Sequence, residues 1–175
     1  MLRMFQEARY AQAVIGGIVA TLVMGIFAYF VAPLLGLPKL DILGFHGTLF
    51  LPAGAAAQWL GMGIVLVGAV IAALIHEAWF RNILPGSEWL RAVIWGLILW
   101  IFTGVVYLPL VGAVHPMVMA GQMPNPGFFG AGLRDLAPVA ILANHLVWGL
   151  ILGLCYEALS ERPLPMGLRT RTEAR

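Results

Sequence analysis

The side chains with the widest chemical range in this 175-residue sequence are its four histidines, His46, His76, His115 and His145. An imidazole ligates a metal, relays a proton or holds a haem iron. His115 opens the run His115-x-Met117-x-Met119-x3-Met123, and thioether sulfur beside imidazole suits Cu(I). Methionine also fills irregular apolar gaps, so the same run reads as a loop packed on its own protein or docked on a partner. His46 lies in another loop on the same side of the apolar segments and can approach it. His115, Met117, Met119, Met123 and His46 are thus the candidate metal ligands, and the pattern is unspecific.

Asn144 and His145 stand inside an apolar stretch, where an amide and an imidazole are costly unless they face protein. They read as a pair bonding across helices, or as the lining of a ligand cavity. A haem held between His76 and His145 is excluded by depth. His145 lies about 8 residues from the far end of its segment, roughly 12 Å, and His76 about 24 residues, roughly 36 Å. The carboxylates avoid the apolar segments' middles, so a proton path has only His145 to use, with Asn144, Tyr29 or Tyr107 as relays. The single cysteine, Cys155, excludes an intrachain disulfide. No nucleophile elbow, zinc-protease motif or phosphate-binding glycine loop is present. Nothing points to catalysis.

Composition identifies the elements that hold these residues. The chain is 61% hydrophobic and 10% charged, with a mean hydropathy of +0.92. A soluble domain carries about 25% charged residues, so this is an integral membrane protein, read as one domain over residues 1–175. Four segments reach spanning length: residues 11–35, 52–80, 90–111 and 136–159. Pro33 and Gly36 end the first, Pro85-Gly86 the second and Pro109 the third. Residues 112–134 form a long loop rich in Gly, Pro and Met, and residues 160–175 a polar tail. Ser87 and Asp135 are the candidate N-caps of the third and fourth spans. The fold class is all-α, a four-helix membrane bundle.

Small residues predict where the helices touch. Gly17, Thr21 and Gly25 recur every four residues in the first span, and Gly149 and Gly153 follow His145 at the same step in the fourth. These residues, with Asn144 and His145, are the candidate packing or interface positions. Four spans place both termini on one side. That side holds Arg3, Arg9, Arg81, Arg91, Arg162, Arg169, Arg171 and Arg175, against Lys39 and Arg134 on the other. Eight cations against two predict cytoplasmic termini and a bacterial inner-membrane location. Basic residues that flank apolar segments set topology, so no nucleic-acid partner is implied.

An internal repeat is also legible. The first span ends Pro33-Leu-Leu-Gly36 and the third Pro109-Leu-Val-Gly112; the second ends Leu74-Ile-His-Glu-Ala78 and the fourth Leu154-Cys-Tyr-Glu-Ala158. The pairs run in the same direction, as in a parallel repeat of helical hairpins, although Pro and Gly end helices everywhere.

The stretch Pro33-Leu-Leu-Gly-Leu-Pro38 with Asp41, and Asn144-His145 ahead of Gly149-xxx-Gly153, resemble small uncharacterised four-helix bacterial membrane proteins, some of which accompany respiratory-chain subunits. The resemblance covers the four spans and brings no catalytic residues. It implies a non-catalytic accessory subunit of a membrane electron-transport complex, respiratory or photosynthetic, with other integral membrane subunits and lipids as partners and no cofactor of its own. The other class is a small transporter, or a protein handling haem or copper through His145 or the His115/methionine loop.

Overall fold

The first and third spans each contain a proline near one end, and each widens before reaching it. A proline lacks the N–H of the helical ladder, and its ring presses on the carbonyl four residues back. In the computed structural model, which describes residues 2–160 and the side chains of residues 9–159, α-helix Leu2–Ile26 passes into a π-helical turn, Phe27–Val31, just before Pro33. The Ala32 N–H bonds the Phe27 carbonyl, one residue further back than in an α-helix. The third span repeats this. Helix Glu88–Phe102 passes into the π-turn Thr103–Tyr107 ahead of Pro109, with the Leu108 N–H on the Thr103 carbonyl. A third π-turn, His76–Phe80, lies in the second span. The polar tail after Ser160 falls outside the described residues.

Four helices are long and apolar enough to cross a membrane: Arg9–Leu34, Ala55–Ile83, Glu88–Val114 and Ala137–Leu159. No strand occurs among the described residues. The second span starts at Ala55, after Gly54, rather than at Pro52. Asp135 does not cap the fourth span; Leu136, at φ 59°, intervenes before the helix begins at Ala137. The Ser87 side chain makes no capping bond, although its carbonyl accepts from the Arg91 N–H.

The spans are joined unevenly. The third and fourth pack closest, because a Cβ at Gly149 would run into the Ala92 carbonyl, one at Gly153 into the Trp89 backbone, and one at Gly96 into the His145 carbonyl. The first span packs on the second through Gly17, whose Cβ would meet the Ala73 methyl at 3.0 Å. It joins the fourth through Thr21, whose Oγ1 donates to the Gly17 carbonyl (2.7 Å) and accepts from Trp148 Nε1 (3.1 Å). Among the described residues, the second and third spans meet toward the end where the first span begins and the fourth finishes. There Trp95 Nε1 donates to the Ala72 carbonyl (3.1 Å), and Phe80 stacks on Trp95 at 4.2 Å.

That same end is clasped by charges. Glu77, with its side chain 4% exposed, forms an ion pair with Arg9 and accepts from Arg81, and Arg81 also donates to Glu88 at 2.7 Å. The Arg81 guanidinium lies over the Tyr156 ring. His76 is fully buried beside this cluster, stacked on Tyr156 at 5.6 Å. Tyr156 is 11 residues from His145 along one helix, roughly 16 Å. The separation of the two histidines is thus shorter than residue counting gave. The second span starts later than the sequence suggests, which shortens its count.

Candidate functional site

Because the second and third spans splay apart toward the other end, the bundle leaves a half-open chamber of about 600 Å³ there. The second span contributes Ile64, Val65, Gly68, Ala69 and Ala72, and the third contributes Leu99, Phe102, Thr103, Tyr107 and Leu108. The fourth span forms the back wall with Ile141, Asn144, His145 and Trp148. A volume of this size suits a drug-sized molecule, and a mainly apolar wall with few polar groups is the usual form of a small-molecule site. Toward the termini, the Trp95 bond to Ala72 and the Phe80–Trp95 stack lie beyond it.

Two chain segments cover the other end. One holds the short helix Ile42–Gly47, in a stretch whose sequence predicts a loop. Its N-cap, Asp41, accepts from the Gly44 N–H (2.9 Å), the Tyr29 hydroxyl (2.9 Å) and Gln58 Nε2 (2.9 and 3.1 Å), tying the first span, the loop and the second span together. Gly47 and Gly61 let this helix lie against the second span, where any Cβ would strike backbone. The other cover is the loop after the third span. It folds back onto its own bundle: the Phe129 ring rests on Gly104 and packs on Trp100 at 4.7 Å, and Asn125 and Pro126 pack on Gly112.

The polar groups of the chamber fall into two kinds. His145 is satisfied: its Nδ1–H donates to the Ile141 carbonyl (2.8 Å), so in the neutral ring Nε2 is the acceptor for the Thr103 hydroxyl (3.2 Å). Asn144 is not. It is 4% exposed, and its Oδ1 is buried without a hydrogen-bond partner. Such a group costs about 1–3 kcal/mol. The Tyr107 ring stacks on His46 at 5.7 Å, and its hydroxyl makes no hydrogen bond among the described residues. His46 Nδ1–H donates to the Ile42 carbonyl (2.6 Å). Burial pushes the His46 ring below its ordinary 6.5, opposed by that carbonyl and reinforced by nearby His115.

The methionine run does not gather around its histidine. His115 Nδ1 accepts from the Met117 N–H (3.2 Å), so its Nε2–H donates to the Phe45 carbonyl (2.9 Å). Its one acceptor nitrogen is therefore already engaged. His115 is fully buried and stacks on Phe45 at 5.1 Å, as a clamp between the two covers. Met119 is largely exposed, while Met117 and Met123 line a separate cavity of about 170 Å³ beside Asp41. Among the described residues no three His, Cys, Asp or Glu side chains come together as a metal-binding group.

Of the small residues expected to pack helices, Gly17, Thr21, Gly149 and Gly153 meet neighbours inside the chain, and Gly25 has open space where a Cβ would be. Sequence reasoning missed Gly96, Thr103, Trp148 and the role of Gly68. The spacing of Gly96, Thr103 and Tyr107, two helical turns and then about one, is a usable signal.

The arrangement is that of a multi-pass, four-helix membrane protein with a half-open, mainly apolar chamber between its spans. The chain belongs to DUF6789, a family of unknown function whose pattern matches residues 8–166. No curated protein and no solved structure matches it.

Proposed function

We propose that the protein is a membrane-embedded binder of a lipid-soluble small molecule, held between the second, third and fourth spans. The chamber is the carrying observation: about 600 Å³, mainly apolar, with Asn144 and His145 on its back wall. Close helix contacts in this chain occur where glycines allow them, yet the second and third spans stay apart. Gly68 and Phe102, both exposed, lie on the two sides of that gap, so a ligand enters from the bilayer. This is the ligand-handling class, without haem or copper, since His145 and His115 both have their ring nitrogens engaged.

The internal repeat belongs to this proposal. The π-turns before Pro33 and Pro109 support it, as does the stacking of His76 on Tyr156, which the repeat makes equivalent. Under it, the packed first–fourth contact and the open second–third contact are counterparts, and the chamber lies where they differ. The charge bias supports, as part of the same proposal, cytoplasmic termini and a chamber in the outer half of a bacterial inner membrane.

The test is extraction of the purified full chain with organic solvent. A near-equimolar apolar compound from wild type, reduced severalfold in Gly68→Leu, supports binding. Identical extracts of bulk lipid from both argue against it. A second reading, the accessory subunit of an electron-transport complex, has one observation in its favour: Gly25 and Gly63 have nothing within 4 Å of an added Cβ, which leaves room for a partner helix. Stoichiometric subunits co-purifying in mild detergent, lost on Gly25→Leu, would select it.

A further inference from the structure

Accepting the chamber as a ligand site, we infer that its occupant is an anionic amphiphile, with a carboxylate or phosphate head held by Lys39 and Arg134 and a hydrocarbon tail along the chamber wall. The inference rests on the proposed function and deepens it by naming the ligand's class. The described lysine and arginine side chains are Arg9, Lys39, Arg81, Arg91 and Arg134. At the closed end Arg9, Arg81 and Arg91 each pair with a glutamate. Lys39 and Arg134 pair with no carboxylate among the described residues, and these are the two that line the chamber.

The two cations come from different covers, Lys39 from the segment that carries Asp41 and Arg134 from the loop after the third span. Both are exposed, so a ligand can reach their charges. Lys39 lies over the Tyr29 ring, 4.8 Å from its centre, which steadies the ammonium without cancelling its charge. The carboxylates at this end do not answer them. Asp41 lines the chamber but already takes hydrogen bonds from Gly44, Tyr29 and Gln58, and Asp135 does not line it. An apolar space bordered by unpaired cations is complementary to a molecule with one anionic end and one apolar end. Tyr107 adds a neutral donor: its hydroxyl is unpaired among the described residues and open to the head.

The rest of the wall fits a tail. From Ile64 to Ala72 the second span lines the chamber over eight residues, roughly 12 Å. That is close to one leaflet's share of a hydrocarbon core about 30 Å thick. The tail enters sideways past Gly68, where no atom lies within 4 Å of an added Cβ.

Neutral His46 leaves Nε2 as an acceptor without a partner among the described residues, which would suit an alcohol head instead. The full chain in nanodiscs of zwitterionic lipid is therefore titrated with four probes of one chain length: a fatty acid, an alkyl phosphate, the fatty acid's methyl ester and the alcohol. The two anions are expected to bind about tenfold more tightly than the ester and the alcohol, the worth of two partly exposed charge pairs. The tighter anion names the head, and added salt shrinks the preference. Lys39→Gln or Arg134→Gln should lower that preference severalfold. The double variant should remove it, with ester binding kept within about twofold. Equal binding of all four probes, weakened by Gly68→Leu, overturns the anionic head and keeps the chamber. Tightest binding of the alcohol, lost on His46→Leu, also overturns it and moves the head to His46. An anion preference that survives the double variant contradicts the role of the two cations. No binding of any probe, or binding indifferent to Gly68→Leu, sinks this inference and the proposed function together.

Discussion

Asn144 and His145 are neighbours in sequence with opposite situations. His145 is bonded at both ring nitrogens, and Asn144 Oδ1 at none. Replacing His145 strands the Thr103 hydroxyl, so His145→Leu should lower stability by about 1–2 kcal/mol. Asn144→Leu removes a buried orphan of similar shape and should raise it by about 1 kcal/mol in the ligand-free protein. Thermal denaturation of the two variants in one detergent checks both signs. The sequence marks the pair as unusual, because polar groups in hydrocarbon stand out. It does not say which of them is satisfied, since that depends on Thr103 one helix away. His46 carries a pH effect. The fold holds the ring below 6.5, favouring the neutral form. Stability is therefore full above the unfolded value and falls as pH drops through about 6.5, levelling once the ring is protonated in both states. Melting temperatures compared at about pH 7.5 and pH 5.5 should differ less in His46→Gln than in wild type.

At the scale of elements, glycine position decides which helices touch. Gly153→Leu forces a side chain into the Trp89 backbone and should cost about 3 kcal/mol or more. Gly68→Leu meets nothing and improves helix propensity by about 1 kcal/mol, so it should fold at least as well as wild type. The two glycines look alike in sequence, both inside apolar helices, and only the path of the neighbouring span separates them. Spans were legible from hydropathy to within a few residues. The π-turns before Pro33 and Pro109 follow from proline's missing donor, but the sequence signals only a helix end there. The charge clasp was half legible. The spacing of Glu77 and Arg81 announces their pair, whereas Glu88 and Arg9 join it only through the fold. Glu77→Gln leaves the buried Arg81 partly unpaired and should cost about 3–5 kcal/mol, read as loss of folded protein in detergent.

The whole molecule is a bundle closed at one end by aromatic rings and charges and splayed at the other. A reading from the sequence favours partner contacts, because small residues and the long loop suggest surfaces waiting for company. In the structure most of those glycines meet their own chain, and the loop lies on its own third span. What remains unfilled is inside. Native mass spectrometry of the full chain, released from mild detergent, tests this most directly. The account predicts one apolar small molecule retained per wild-type chain and its absence from Gly68→Leu, with both proteins equally folded. A wild-type chain that emerges empty, or a Gly68→Leu chain that keeps the same adduct, would contradict it.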